Sequence, residues 1–143
     1  MELPDFEADG YLPPGVHLCD EPDVIQRFGS SNLFRRRLCV RVETWLALAR
    51  SIRAKRFLID GSFVTAKEEP NDVDAVIWLP ENFHDQLALR EEPAQLVAQM
   101  IVTRYPEELF PAYDADDWHE WVESFSRTRE SVDHRKGVVE IRL

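Results

Sequence analysis

Apolar residues recur along this chain with two different periods, and the alternation between them lays out a series of helices and strands. Asp20 reads as an N-cap, Pro22 falls in the first turn and Gly29 stops the segment, so a short helix is expected over 21–28. Ser30 or Ser31 can cap the next helix, where Phe34, Leu38, Trp45, Leu48, Ala49 and Ile52 return at helical spacing. Arg35, Arg36, Arg37 and Arg41 fall largely off that stripe, which predicts an amphipathic helix of about 20 residues with a basic outer face. Residues 57–59 (Phe-Leu-Ile) read as a short buried strand, and 61–66 as a turn with one or two helical turns. A polar loop follows over 67–71, where Pro70 disfavours continued helix. The second strand, 73–79, is apolar at nearly every non-carboxylate position, as a central strand is. Residues 83–104 are expected to be helical with an interruption at Pro93. A third strand covers 109–113, and Pro111 places it at an edge or a bulge. The acids at 114–117 precede a helix with Trp118, Trp121, Val122 and Phe125 on one face, where they complement the helix dipole. Gly137 releases a last strand, 138–143.

This order of elements predicts an α+β fold, a mixed β-sheet with helices mainly on one face. The chain of 143 residues has room for one domain, 1–143, with the Pro- and Gly-rich residues 1–19 as an N-terminal arm. A hydrophobic fraction of 44% and a charged fraction of 31% match an ordinary globular protein. No apolar run approaches the roughly 18 residues of a membrane span, so no membrane is expected as a partner. The acidic N-terminus lacks a secretory pattern, and a cytoplasmic address follows. Cys19 and Cys39 lack metal-ligand spacing and read as reduced, structural thiols. His17, His84, His119 and His134 are scattered, which argues against a zinc site. The four tryptophans, Trp45, Trp78, Trp118 and Trp121, fall on apolar faces and read as core.

The net charge of −10 is unevenly placed. Residues 27–56 hold nine Arg or Lys against a single acid, Glu43, whereas the other residues carry 8 basic and 26 acidic side chains. Such a block suits a polyanion or an acidic partner, or is neutralised within the fold. Arg127, Arg129, Arg135 and Lys136 form a second, smaller basic group.

The candidate chemistry lies between the first two strands. Gly61-Ser62 follows an apolar run, and after nine residues Asp72-Val73-Asp74 opens the next. Residues two apart on a strand project to one face, so Asp72 and Asp74 are expected side by side. Paired carboxylates suit hard divalent cations, and a Gly-Ser turn opening a short helix offers N–H groups and a hydroxyl to phosphate. These are the parts of a metal-dependent phosphoryl or nucleotidyl transfer site.

The stretch from Asp60-Gly61-Ser62-Phe63-Val64-Thr65 to Pro70-Asn71-Asp72-Val73-Asp74 resembles the signature of the polymerase-β-like nucleotidyltransferase superfamily, and within it the small bacterial branch of minimal nucleotidyltransferases. The resemblance implies the polymerase-β-like fold and attack of a hydroxyl on the α-phosphate of a nucleoside triphosphate. It implies magnesium or manganese held by Asp72 and Asp74, and phosphates received by Gly61 and Ser62. Lys67, in the loop between the two motifs, either steadies the triphosphate or is a solvated lysine. Members usually carry a third carboxylate on a later strand. The aligned position is Glu108, and Asp114 and Glu140 are the other candidates. The resemblance further implies a partner protein as acceptor, in a toxin–antitoxin or phage-defence setting. A catalytically weak regulatory subunit and an RNA- or tRNA-modifying enzyme using the basic segment 27–56 are the alternatives. The overall acidity weighs against RNA.

Overall fold

The computed structural model describes residues 3–103, 108–128, 130 and 133–143. Five strands form one mixed sheet among them: β1 (Gly15–Cys19), β2 (Arg56–Asp60), β3 (Asp74–Trp78), β4 (Glu108–Ala112) and β5 (Gly137–Ile141), in the order β1-β5-β2-β3-β4. β2 runs antiparallel to both β3 and β5, whereas β3–β4 and β1–β5 are parallel. The helices are α1 (Glu21–Phe28), α2 (Leu33–Ser51), α3 (Phe83–Ala88), α4 (Glu92–Thr103) and α5 (Ala115–Phe125), with a 3-10 turn at Ser62–Val64. The fold is α+β, as the element order predicts. No helix among the described residues is long and apolar enough to cross a membrane.

Strand alternation sorts the sheet into two faces. Phe57, Ile59, Ala75 and Ile77 join the larger core with Val24 and Phe28 of α1, Trp45 and Leu46 of α2, and Ala94 and Val97 of α4. Leu58, Val76 and Val138 point the other way and pack under α5, against Trp118, Trp121 and Phe125. Helices α1 to α4 therefore cover one face, and α5 covers part of the other. Trp45 and Trp118 are fully buried, in keeping with a core role, and Trp121 donates its indole N–H to the Pro111 carbonyl at 3.0 Å. Cys19 and Cys39 are free and buried, and burial pushes both thiols up to about 12.

Local chemistry sets most boundaries. The Asp20 N–H donates to the Asp23 carboxylate at 2.9 Å at the start of α1. β4 closes one side of the sheet, the position at which Pro111, lacking an N–H, is tolerated. Five expectations change. The lead-in over 1–19 ends in β1, an edge strand whose Gly15 to Cys19 pair with Gly137 to Ile141. The cap of α2 is Asn32, not Ser30 or Ser31, and its side chain accepts the Arg35 N–H at 3.0 Å. Pro93 does not interrupt a helix but sits in the first turn of α4, where its missing N–H costs no helical bond. The break precedes it, at Arg90 with φ of 57°. Phe34 is 45% exposed, and Arg35 is buried, so the two exchange the places their periodicity assigns.

Candidate active site

β2 ends at Asp60, and the chain then reverses through Gly61 into the 3-10 turn. Gly61 has φ of 96°, and a Cβ there would lie 2.9 Å from the Asp72 carbonyl oxygen and 3.1 Å from the Val73 Cα. Only glycine lets the two backbones approach this closely. The approach is fixed by hydrogen bonds: the Phe63 N–H donates to the Asp72 carbonyl at 3.1 Å, and the Asn71 and Asp72 N–H groups donate to Ser62 Oγ at 3.0 and 3.2 Å.

Arg35 fastens the other side of this loop. Its guanidinium donates to the carbonyls of Phe28 (3.2 Å), Phe63 (2.8 Å), Thr65 (2.8 Å) and Lys67. Three carbonyls of the loop and the last carbonyl of α1 are thereby satisfied by one side chain reaching out of α2, which is why Arg35 turns inward. Burial lowers its pKa, and no carboxylate is needed to hold it.

The carboxylates gather on the face of the sheet that α5 only partly covers. Asp60 pairs with Asp74 across β2–β3, and Asp74 pairs with Glu108 across β3–β4, so the three form one row. Asp72 precedes β3 rather than lying on it, which corrects the expectation of two acids on one strand. Its carboxylate instead accepts the Ser62 N–H at 3.0 Å and the Ser62 hydroxyl. The two donors expected to meet phosphate are thus held by Asp72. Lys67 stands in the loop with an exposed side chain.

Charge crowding marks Asp74. Burial raises its pKa to about 7, with further upward pushes from Asp72, Glu108 and Asp60 and an opposing pull from Lys136. Asp60 is 5% exposed, and burial raises it to about 6. Lys136 offsets that by donating to both Asp60 oxygens, at 2.7 and 2.8 Å, and the Gly61 N–H helps. Asp60 is therefore compensated, whereas Asp72, Asp74 and Glu108 share no cation of their own among the ion pairs of the described residues.

The other candidates for a third carboxylate do structural work. Asp114 caps α5 by accepting the Asp117 N–H at 2.8 Å. Glu140 holds Arg56 at 2.8 and 2.6 Å, with the guanidinium 4.8 Å from the Trp118 ring centroid. Of the second basic group, Arg127 and Arg135 pair with Glu123 and Lys136 with Asp60, while Arg129 lies outside the described residues.

An acidic oxygen donor set fits a hard cation. Among the described residues, no group of three or more His, Cys, Asp and Glu is arranged to close around a metal unaided. Magnesium is commonly held by one or two carboxylates and completed by substrate phosphates and water. Two surface concavities, one lined by Glu21, Arg50 and Arg142 and the other by His119, Glu123 and Arg127, lie away from the carboxylate row.

Sequence reasoning named Asp60 within the motif stretch, Lys136 in the second basic group and Arg35 on the outer face of its helix, but gave none of them its role at this site. Asp60 had a signal: it lies two residues past Leu58, so alternation puts it on the carboxylate face once β2 is extended by one residue. Lys136 had none. The model of a family of unknown function, DUF6932, matches residues 4–142. No curated protein matches the chain, and no solved structure does.

Proposed function

We propose that this chain, which belongs to the DUF6932 family, is a metal-dependent nucleotidyltransferase that moves a nucleoside monophosphate from a nucleoside triphosphate to a hydroxyl of a partner protein. The observation that carries this reading is the meeting of the Gly61-Ser62 turn with Asp72, Asp74 and Glu108 at one end of an incompletely covered sheet face. A bond forms between the acceptor oxygen and the α-phosphorus, the bond to pyrophosphate breaks, and the hydroxyl proton leaves to solvent. Magnesium or manganese would neutralise charge on the phosphoryl oxygens and lower the pKa of the acceptor hydroxyl. Asp74 supplies a carboxylate from a rigid strand, flanked by Asp72 and Glu108, and all three are relieved of mutual repulsion when a cation is shared. Asp72 must turn away from Ser62 for the N–H and hydroxyl to face a phosphate. Lys67, exposed in the loop between Ser62 and Asp72, would meet the outer phosphates.

A second reading, a nucleotide-binding regulatory subunit without transfer, is favoured by one observation: the described carboxylates do not close a metal site by themselves. Incubation with α-labelled nucleoside triphosphates, magnesium and cell extract separates the two. Label on a protein, lost in Asp74→Asn, is the expected result. Label on RNA points to an RNA acceptor. Magnesium-dependent nucleotide binding with no transfer at all points to the regulatory subunit.

A further inference from the structure

The first two turns of α2 carry an outward patch in which apolar and cationic side chains alternate. Leu33 is 78% exposed, Phe34 45% and Val40 61%, and Arg36 and Arg37 beside them are exposed. Positions 33, 36, 37 and 40 share one helix face. The same end of α2 is tied to the candidate site. Asn32 donates to the Glu68 carbonyl at 2.7 Å, and Arg35 holds the carbonyls of Phe63, Thr65 and Lys67. The patch therefore borders the loop that joins Ser62 to Asp72.

Much of the basic block is engaged inside the molecule. Arg27 donates to the carbonyls of Leu3 and Pro4, Arg35 holds its four carbonyls, Arg50 pairs with Glu21, Lys55 with Glu81, and Arg56 with Glu140. What the first two turns of α2 present is Arg36 and Arg37 set among Leu33, Phe34 and Val40; Arg41, one turn further on, is half-buried. Two phosphate contacts would hold RNA weakly, whereas apolar contact rimmed by arginine is the usual make-up of a protein interface. A second copy fits poorly. Twofold pairing through this face would set Arg36 and Arg37 against their own counterparts.

We propose that this patch docks an acidic amphipathic segment of a partner protein, apolar side chains on Leu33, Phe34 and Val40 and carboxylates on Arg36 and Arg37, and so presents the acceptor at the neighbouring site. That the docked protein is the acceptor rests on the nucleotidyltransferase reading; the docking does not.

The test uses the full chain and a fluorescent peptide of about 20 residues, a helix of roughly 30 Å, with leucines on one face and glutamates flanking them. Two control peptides replace the glutamates with glutamine or the leucines with serine, and an oligouridylate tests RNA. Anisotropy is read in EDTA without nucleotide, so docking is measured independently of the carboxylate site. The acidic amphipathic peptide binds, and binding falls at least about tenfold in Arg36→Glu/Arg37→Glu and in Leu33→Ser/Val40→Ser. Both variants keep the wild-type melting curve, since the altered side chains are exposed. The proposal is overturned by absence of peptide binding, by equal binding of either control peptide, by binding unchanged in the variants, by oligouridylate displacing the peptide, or by self-association that Leu33→Ser/Val40→Ser abolishes. Peptide docking without any magnesium-dependent nucleotide binding would instead overturn the catalytic reading and leave the docking surface standing.

Discussion

Asp74 of β3 and Glu108 of β4 are direct partners in a parallel ladder, so their side chains leave the same face of the sheet next to each other. Sequence separates them by 34 positions; the register sets them side by side. With Asp72 and Asp60 close enough to raise Asp74 further, the row is a concentration of negative charge.

Magnesium should accordingly reverse the effect of neutralising these acids. In calorimetry with magnesium, nucleoside triphosphate affinity falls at least about tenfold in Asp72→Asn/Asp74→Asn and by less in Glu108→Gln. In EDTA the order inverts, because bare carboxylates repel a triphosphate and their removal relieves it. Equal affinity for wild type and double variant in magnesium would remove the site.

The raised pKa of Asp74 makes stability depend on pH in a defined direction. A carboxyl held at about 7 in the folded chain, against 3.8 as its ordinary value, binds a proton more tightly folded than unfolded. Its contribution is fully present below about pH 4 and is lost as pH rises through 7. Asp74→Asn should therefore gain on the wild type as pH rises, by on the order of 2–3 kcal/mol between pH 4 and pH 8. Urea unfolding at the two pH values measures it, and a pH-independent difference would refute the raised pKa that burial and the neighbouring acids give Asp74.

Adjacent arginines of α2 should behave as opposites. Arg35→Met leaves the buried carbonyls of Phe28 and Phe63 and the part-buried carbonyl of Thr65 without their donor, at a cost of about 3 kcal/mol or more. Arg36→Met, on the exposed side, stays within about 0.5 kcal/mol. Arg35→Lys recovers only part, since an ammonium lacks the fork that reaches several acceptors. Equal midpoints for Arg35→Met and Arg36→Met in urea would contradict the inward placement.

Lys136 and Asp60 form a buried pair, with side chains 11% and 7% exposed. Lys136→Met strands the Asp60 carboxylate and should cost about 3–5 kcal/mol at pH 8. The added change Asp60→Asn should restore most of that loss, which a double-mutant cycle of unfolding energies would read directly.

The sequence by itself determined what depends on near neighbours. Caps and periodicity placed α1, and the run of helix, strand, turn and strand put Gly61-Ser62 and Asp72-Val73-Asp74 at the junction of β2 and β3. Pro111 assigned β4 to an edge because a missing N–H is a local fact. Tertiary structure decided the rest. Periodicity put Arg35 outside, but the carbonyls of a loop about 30 residues on drew it in. β1 reads as a lead-in because its partner, β5, comes last in the chain. Asp60 and Lys136, 76 residues apart, meet only through the sheet order, as Asp74 and Glu108 meet only through register. Periodicity reports which way a side chain faces relative to its own element; what it faces is set by strands and loops brought together from elsewhere in the chain.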